Sequence, residues 1–211
     1  MRFADLDCVT VDAYGTLLAL EDPVPALEAE LAGRGAARPG AEIAAAFGVE
    51  MEYYREHSLE GRDAESLEQL RRDCLGVFLA ALHVELDPAE LFEAFIAALR
   101  FRLERGALDA LRLLRGRELA LAVVSNWDCS LEQRLGEVGL LGFFDCVVGS
   151  ALVGAAKPDP RLFHYALEQL EVSPARSLHI GDSDDDRLGA ASAGMSFAPA
   201  PLELAVRGLS G

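Results

Sequence analysis

The strongest constraint on the fold is a set of short, β-branched apolar runs, each ending in polar or small residues. They are residues 6–12 (LDCVTVD), 119–126 (LALAVVSN), 143–150 (FFDCVVGS), 178–182 (LHIGD) and the brief 196–198. Runs with both faces apolar read as buried strands of a parallel sheet. Helical patterns lie between them. Residues 107–115 carry leucines at helical spacing, and Ser130 with Gln133 three residues on reads as a capping box. Leu162, Phe163, Ala166, Leu167 and Leu170 share one stripe of a helix over 160–170, and 184–193 reads as the last helix. Strand alternating with helix predicts a doubly wound, Rossmann-like α/β core with right-handed crossovers.

Residues 18–102 break that alternation and show no strand pattern. Ile43, Phe47, Met51 and Tyr54 form one helical stripe; Leu67, Leu70, Cys74, Val77 and Ala81 form a second; Leu91, Phe95 and Leu99 form a third. Pro23-Val24-Pro25, Arg38-Pro39-Gly40 and Asp87-Pro88 separate them. The expected organisation is an α/β core from residues 1–17 and 103–211, with 18–102 as an inserted α-helical domain. The two chain crossings between them are hinge candidates.

Composition narrows the partners. The chain of 211 residues carries 19 basic and 35 acidic side chains, a formal charge of −16. Such a surface repels phosphate backbones, which argues against nucleic acid. No charge-free apolar stretch is long enough to span a bilayer, and acidic residues interrupt the start too early for a signal peptide. The expectation is a soluble cytoplasmic protein acting on a small molecule. Cys8, Cys74, Cys129 and Cys146 are scattered, without the spacing of a zinc site or a disulfide framework. Basic residues are almost all arginine. The chain has a single lysine, Lys157, and a single asparagine, Asn126.

In open α/β sheets ligands bind beyond the carboxyl ends of the strands. Those ends hold Asp12-Ala13-Tyr14-Gly15-Thr16, Ser125-Asn126-Trp127 and Gly181-Asp182-Ser183-Asp184-Asp185-Asp186. Lys157 stands in Lys157-Pro158-Asp159-Pro160, just before a helix. A carboxylate, a hydroxyl, an ammonium and an acidic cluster would then converge. Asp12 can act as a carboxylate nucleophile, forming an ester that water later breaks. Ser125 and Asn126 offer a hydroxyl and an amide to the oxygens of an anionic group. Lys157 can neutralise charge that moves during the reaction. Four acids within five positions repel one another. A helix N-terminus or a divalent cation can offset that repulsion. Asp184 and Asp185 read as exposed residues of a helix start. Trp127 reads as packing, and none of the four histidines is given a role.

These four motifs, in this order, resemble the haloacid dehalogenase (HAD) superfamily of hydrolases, and the resemblance extends over the whole chain. It implies the HAD fold, with 18–102 in the place of that family's type-one cap. It also implies catalysis by Asp12 and Lys157, substrate contacts from Ser125, Asn126 and Tyr14, and Mg²⁺ held by Asp12, the Tyr14 backbone carbonyl, Asp182 and Asp186.

The resemblance divides over the chemistry. Phosphatases of the superfamily carry a second aspartate, a general acid and base, where this chain has Tyr14. A phenol, with a reference pKa of about 10, is a poor substitute at neutral pH. Asp12-Ala13-Tyr14-Gly15-Thr16 instead resembles the first motif of the 2-haloacid dehalogenases, which need no metal and use a cap arginine to receive halide. The acidic fourth motif resembles the metal-binding form of the phosphatases. Three readings follow: a Mg²⁺-dependent phosphatase, a metal-independent 2-haloacid dehalogenase, and a catalytically weak binding or regulatory protein.

Overall fold

Five parallel strands form the central sheet of the computed structural model, which describes residues 2–209. In chain order they are β1 (Cys8–Val11), β4 (Ala120–Ser125), β5 (Cys146–Gly149), β6 (Ser177–Gly181) and β7 (Ser196–Pro199). Their spatial order is β5-β4-β1-β6-β7, so β1 is central. Val11 is level with Val123 of β4 and with Ile180 of β6. β1 and β6 are buried along their whole length, as continuous apolar runs require. After β5 the chain crosses to the far side of β1. That reversal makes the carboxyl ends of the strands beside β1 the place where such sheets bind ligands.

Two compact units divide the chain: Met1–Ala19 with Arg102–Gly211, and Leu20–Phe101. In the first, helices α5 (Ala107–Arg115), α6 (Leu131–Glu137), α7 (Ser150–Val153), α8 (Arg161–Gln169), α9 (Asp184–Ser192) and α10 (Leu202–Arg207) accompany the sheet. Phe163 and Leu167 of α8 pack with Val124, Val148 and Ala190 in one buried cluster. Gly189 permits the close approach of α9, because a methyl there would meet the Phe163 ring at 2.5 Å.

The second unit consists of α1 (Val24–Gly33), α2 (Gly40–His57), α3 (Ala64–Ala81) and α4 (Pro88–Ala98). Leu27, Leu31, Ile43, Phe47, Phe78 and Phe95 belong to its core. Asp63 caps α3 by accepting from the Ser66 amide at 2.9 Å, and Asp87 caps α4, whose first residue is Pro88. The buried stripe of α3 ends on Leu75, Phe78 and Leu79 rather than on the expected Val77 and Ala81.

Two further expectations are corrected. Residues 18–102 do contain strand: β2 (Leu18–Leu20) pairs with β3 (Phe101–Leu103), which overlaps the end of that segment. Strands of three residues are too short to display an alternating pattern. Ser130 is the N-cap of α6 but forms no capping box. Its hydroxyl donates to Asp128 Oδ1 at 2.5 Å, and Gln133 turns to Glu137 instead. Among the described residues no helix is long and apolar enough to cross a membrane.

Candidate active site

Parallel pairing brings the ends of three neighbouring strands to one edge of the sheet. Asp12 follows β1, and its amide still donates to Ile180 O of β6 at 2.9 Å. Ser125 ends β4 and is buried, with Asn126 next in the chain. Asp182 follows β6. After Asp12 the chain turns sharply, with the amides of Leu17 and Leu18 both donating to Ala13 O at 2.8 Å. Gly15 makes this turn at φ +77, and a methyl on it would lie 2.0 Å from Asp182 Oδ2. The absence of a side chain therefore lets the acidic cluster close against the first motif.

Lys157 enters from the loop between α7 and α8, anchored by Asn126. The Asn126 Oδ1 accepts the Lys157 amide at 2.6 Å, and Asn126 Nδ2 donates to the Lys157 carbonyl at 3.2 Å. The chain's one asparagine is thus committed to its one lysine. The carboxamide expected to hold substrate oxygens thus spends its acceptor and one of its two donors on the Lys157 backbone, and the second Nδ2–H is left for another partner.

Lys157 is only 5% exposed. It donates to Asp12 Oδ1 at 2.5 Å, to Asp186 Oδ1 at 2.5 Å and to Val124 O at 3.2 Å. All three of its donors are therefore used. Burial disfavours the charged amine, but the charges and hydrogen bonds of Asp12 and Asp186 outweigh burial and hold its pKa above the ordinary value.

Asp186 lies in the first turn of α9 and is fully buried. Its Oδ1 receives Lys157 and His179 Nε2, the latter at 2.9 Å. Its Oδ2 receives the Ser183 amide at 3.0 Å and the Ser183 hydroxyl at 2.5 Å. Ser183 returns the contact by capping the Asp186 amide. Burial alone would raise this carboxyl, yet His179 and Lys157 together hold it well below the usual range. Asp184 and Asp185 are exposed at the start of the helix, as expected.

Asp182 is exposed, and its pKa is raised by partial burial and by the charges of Asp12 and Asp186. One carboxylate oxygen from each of Asp12, Asp182 and Asp186 lies within 4.8 Å of the others. Three carboxylates against one ammonium leave an excess of two negative charges, the charge of one divalent cation. An all-oxygen donor set suits a hard cation such as Mg²⁺. The residues present therefore fit a divalent metal.

Tyr14, two residues after Asp12, is 41% exposed. Trp127 is buried, with its indole N–H donating to Ser130 Oγ at 3.4 Å, a packing role. Two residues given no role by the sequence are part of the network. His179 and Thr10 face each other across β6 and β1, with Nδ1 2.8 Å from Oγ1. One signal was present: Ser177 and His179 alternate with Leu178 and Ile180 in a strand buried on both sides, so the histidine needed a polar partner. Burial lowers the His179 pKa against the opposing pull of Asp186, which keeps the ring neutral.

Residues 6–194 match the family model of haloacid dehalogenase-like hydrolases. The chain belongs to that family. Haloacid dehalogenase-like hydrolase domain-containing protein 3 from Bos taurus is 46% identical over 123 residues, covering 56% of this chain and 49% of its own. The pyrimidine 5'-nucleotidase YjjG of Escherichia coli K12 is 38% identical over 122 residues, 55% of this chain and 53% of its own. The chain spans about half the length of these curated relatives. A solved structure of L-2-haloacid dehalogenase from Xanthobacter autotrophicus, with chloropropionic acid covalently bound, superposes with a TM-score of 0.69 at 27% identity. The match covers 92% of this chain and 77% of that chain. Relatives on both sides of the phosphatase–dehalogenase division thus share the fold or sequence of this family member.

Proposed function

We propose that this HAD-like hydrolase is a Mg²⁺-dependent phosphatase of small phosphorylated metabolites, working through an aspartyl-phosphate at Asp12. The observation that carries this reading is the triad of Asp12, Asp182 and Asp186, whose charge exceeds what Lys157 can balance. The nucleotidase among its relatives supports the same class of substrate.

Lys157 holds Oδ1 of Asp12, so Oδ2 attacks phosphorus. The new Oδ2–P bond forms as the P–O bond to the leaving group breaks, and the leaving oxygen takes the electron pair. Water then attacks phosphorus, the Oδ2–P bond breaks, and the Asp12 carboxylate is restored with release of inorganic phosphate. Asp12, Asp182 and the Tyr14 carbonyl would hold Mg²⁺; Asp186, expected as a further ligand, is engaged by four donors and would contribute its charge instead. Bound there, the metal supplies electrostatic stabilisation of the phosphoryl oxygens. Lys157 stays charged throughout and offsets the charge that moves onto and off Asp12. Tyr14 cannot deliver a proton efficiently at neutral pH, so substrates with stable leaving anions suit this site best.

The second reading, 2-haloacid dehalogenase, draws on Asp12-Ala13-Tyr14 and on the 27% identical dehalogenase structure. Against it, Asp182 and Asp186 join Asp12 in an acidic cluster that resembles the metal-binding form of the phosphatases rather than a metal-free site. The deciding experiment measures phosphate release from p-nitrophenyl phosphate. Turnover should require Mg²⁺, stop with EDTA and disappear in Asp12→Asn. Chloride release from 2-chloropropionate in EDTA, without phosphatase turnover, would establish the dehalogenase instead.

A further inference from the structure

Lys157 has two carboxylate partners, and only one keeps its charge through the proposed reaction. When Asp12 becomes an ester, Asp186 is the remaining counter-ion within reach of the ammonium. The position of Asp186 then decides where Lys157 stays. A carboxylate turns easily about its last torsion, which is broad and two-fold. Here both oxygens are pinned, Oδ2 by Ser183 and Oδ1 by His179.

His179 is itself held on three sides. It is fully buried in β6, and its ring stands edge-on to Phe163, with centroids 4.8 Å apart. Thr10 Oγ1 lies 2.8 Å from Nδ1. A neutral imidazole has one N–H donor and one acceptor nitrogen. An ionised Asp186 only accepts, so the proton sits on Nε2, and the Thr10 hydroxyl donates to Nδ1. Asp186 therefore selects the tautomer, and the Thr10 hydroxyl, which can donate, satisfies the nitrogen that is left and holds the ring in place. Neither residue lies at a strand end, and neither reaches the reacting atoms.

We propose that His179, with Thr10 behind it, is a positioning residue: its Nε2–H fixes Asp186, and Asp186 holds the Lys157 ammonium against the nucleophile. The catalytic consequence rests on the phosphatase reading above, whereas the hydrogen-bonded chain does not. Because the protein has one lysine, ¹⁵Nζ labelling gives a single ammonium resonance, which reports on Lys157 without substrate or metal. In the wild type that signal should exchange slowly with water. His179→Leu should speed its exchange and lower kcat by roughly 10–100-fold, the range for lost outer partners of a site, with KM within about two-fold. His179→Gln places an amide N–H near the lost Nε2–H and should recover most of both effects. If His179→Leu does not fold, Thr10→Val carries the test and should accelerate the exchange to a smaller degree. An unaltered Lys157 resonance in the folded variant, a loss confined to KM, or glutamine no better than leucine would overturn the proposal. A wild type without phosphatase activity would overturn the functional reading alone, since the resonance still decides the Thr10–His179–Asp186–Lys157 chain.

Discussion

Replacing Gly15 with alanine separates the folding role of the first turn from its role in placing Asp182. The residue occupies the left-handed region at φ +77, where an L-side chain costs about 1–2 kcal/mol. The added methyl would lie 2.0 Å from Asp182 Oδ2 and 2.7 Å from its Cγ, whereas ordinary contact begins at 3.4 Å. The carboxylate must therefore retreat by about 1.4 Å to reach normal van der Waals separation. Asp182 is exposed, so its side chain can swing outward at little cost to the fold. The stability loss should then be the backbone cost alone, a fall in Tm of roughly 2–8 °C for a chain of this size. Metal binding should suffer more. Mg²⁺ demands near-ideal octahedral geometry at about 2.0–2.1 Å and does not follow a ligand that moves more than an ångström. We expect the Mg²⁺ dissociation constant, measured by isothermal titration, to rise at least 10–100-fold, as it does when ligand orientation is lost. Asp182→Asn should give a similar loss. The double variant should lose little more than either single change, because both remove the same ligand. If Gly15→Ala lowers Tm as expected yet binds Mg²⁺ within two-fold of the wild type, Asp182 is not a ligand and the reasoning fails.

Tyr14→Asp installs a carboxyl where the phosphatases of the family carry their general acid. Rates on alkyl phosphates should rise about 10²-fold or more, the low end for general acid–base catalysis, while rates on p-nitrophenyl phosphate change little; equal effects on both esters would refute the role assigned to the tyrosine. In the helical unit, Glu50 is buried with Oε2 unpartnered, and burial pushes its carboxyl up to about 7 from an ordinary 4.5. The folded state then binds the proton more tightly, so its contribution is full below pH 4.5 and is lost as pH rises through 7, a change of about 3 kcal/mol. Glu50→Met should flatten that dependence, read from hydrogen exchange of the α2 and α3 amides at pH 5 and pH 8, and a slope equal to the wild type's would reject the account.

The parallel sheet was legible because a strand buried on both faces leaves a continuous apolar run, as at Cys8–Val11 and Ala120–Ser125. The site was legible where function sits at strand ends, since topology alone carries Asp12 and Asp182 to one edge. Side-chain partners were harder to read. Ser130 followed by Gln133 satisfies the capping pattern, but Asp128 is nearer to the hydroxyl and takes it. The α3 stripe drifted because Phe78 is larger than Val77, and the bulkier ring occupies the core. His179 is seven residues from Asp186 in sequence, but its other partner, Thr10, is 169 residues away. No local pattern encodes that pairing; it exists only once β1 and β6 are in register.

The oddity in composition and the geometry of the site explain each other. A chain that places arginine at nearly every cationic position keeps a lysine where three acceptors converge on one atom, from Asp12, Asp186 and Val124. An ammonium offers three donors from a single nitrogen, whereas a guanidinium spreads five over a plane and puts at most two on any one nitrogen. Arginine at 157 would have to leave one of the three acceptors unmet or push the two carboxylates apart. The same reasoning applies to Asn126. The Lys157 backbone presents one N–H and one carbonyl to it. A carboxamide answers both, with an oxygen for the first and an NH₂ for the second. Aspartate would answer the N–H and repel the carbonyl, so the position that fixes the Lys157 backbone is one at which an acid, abundant elsewhere in this chain, cannot serve.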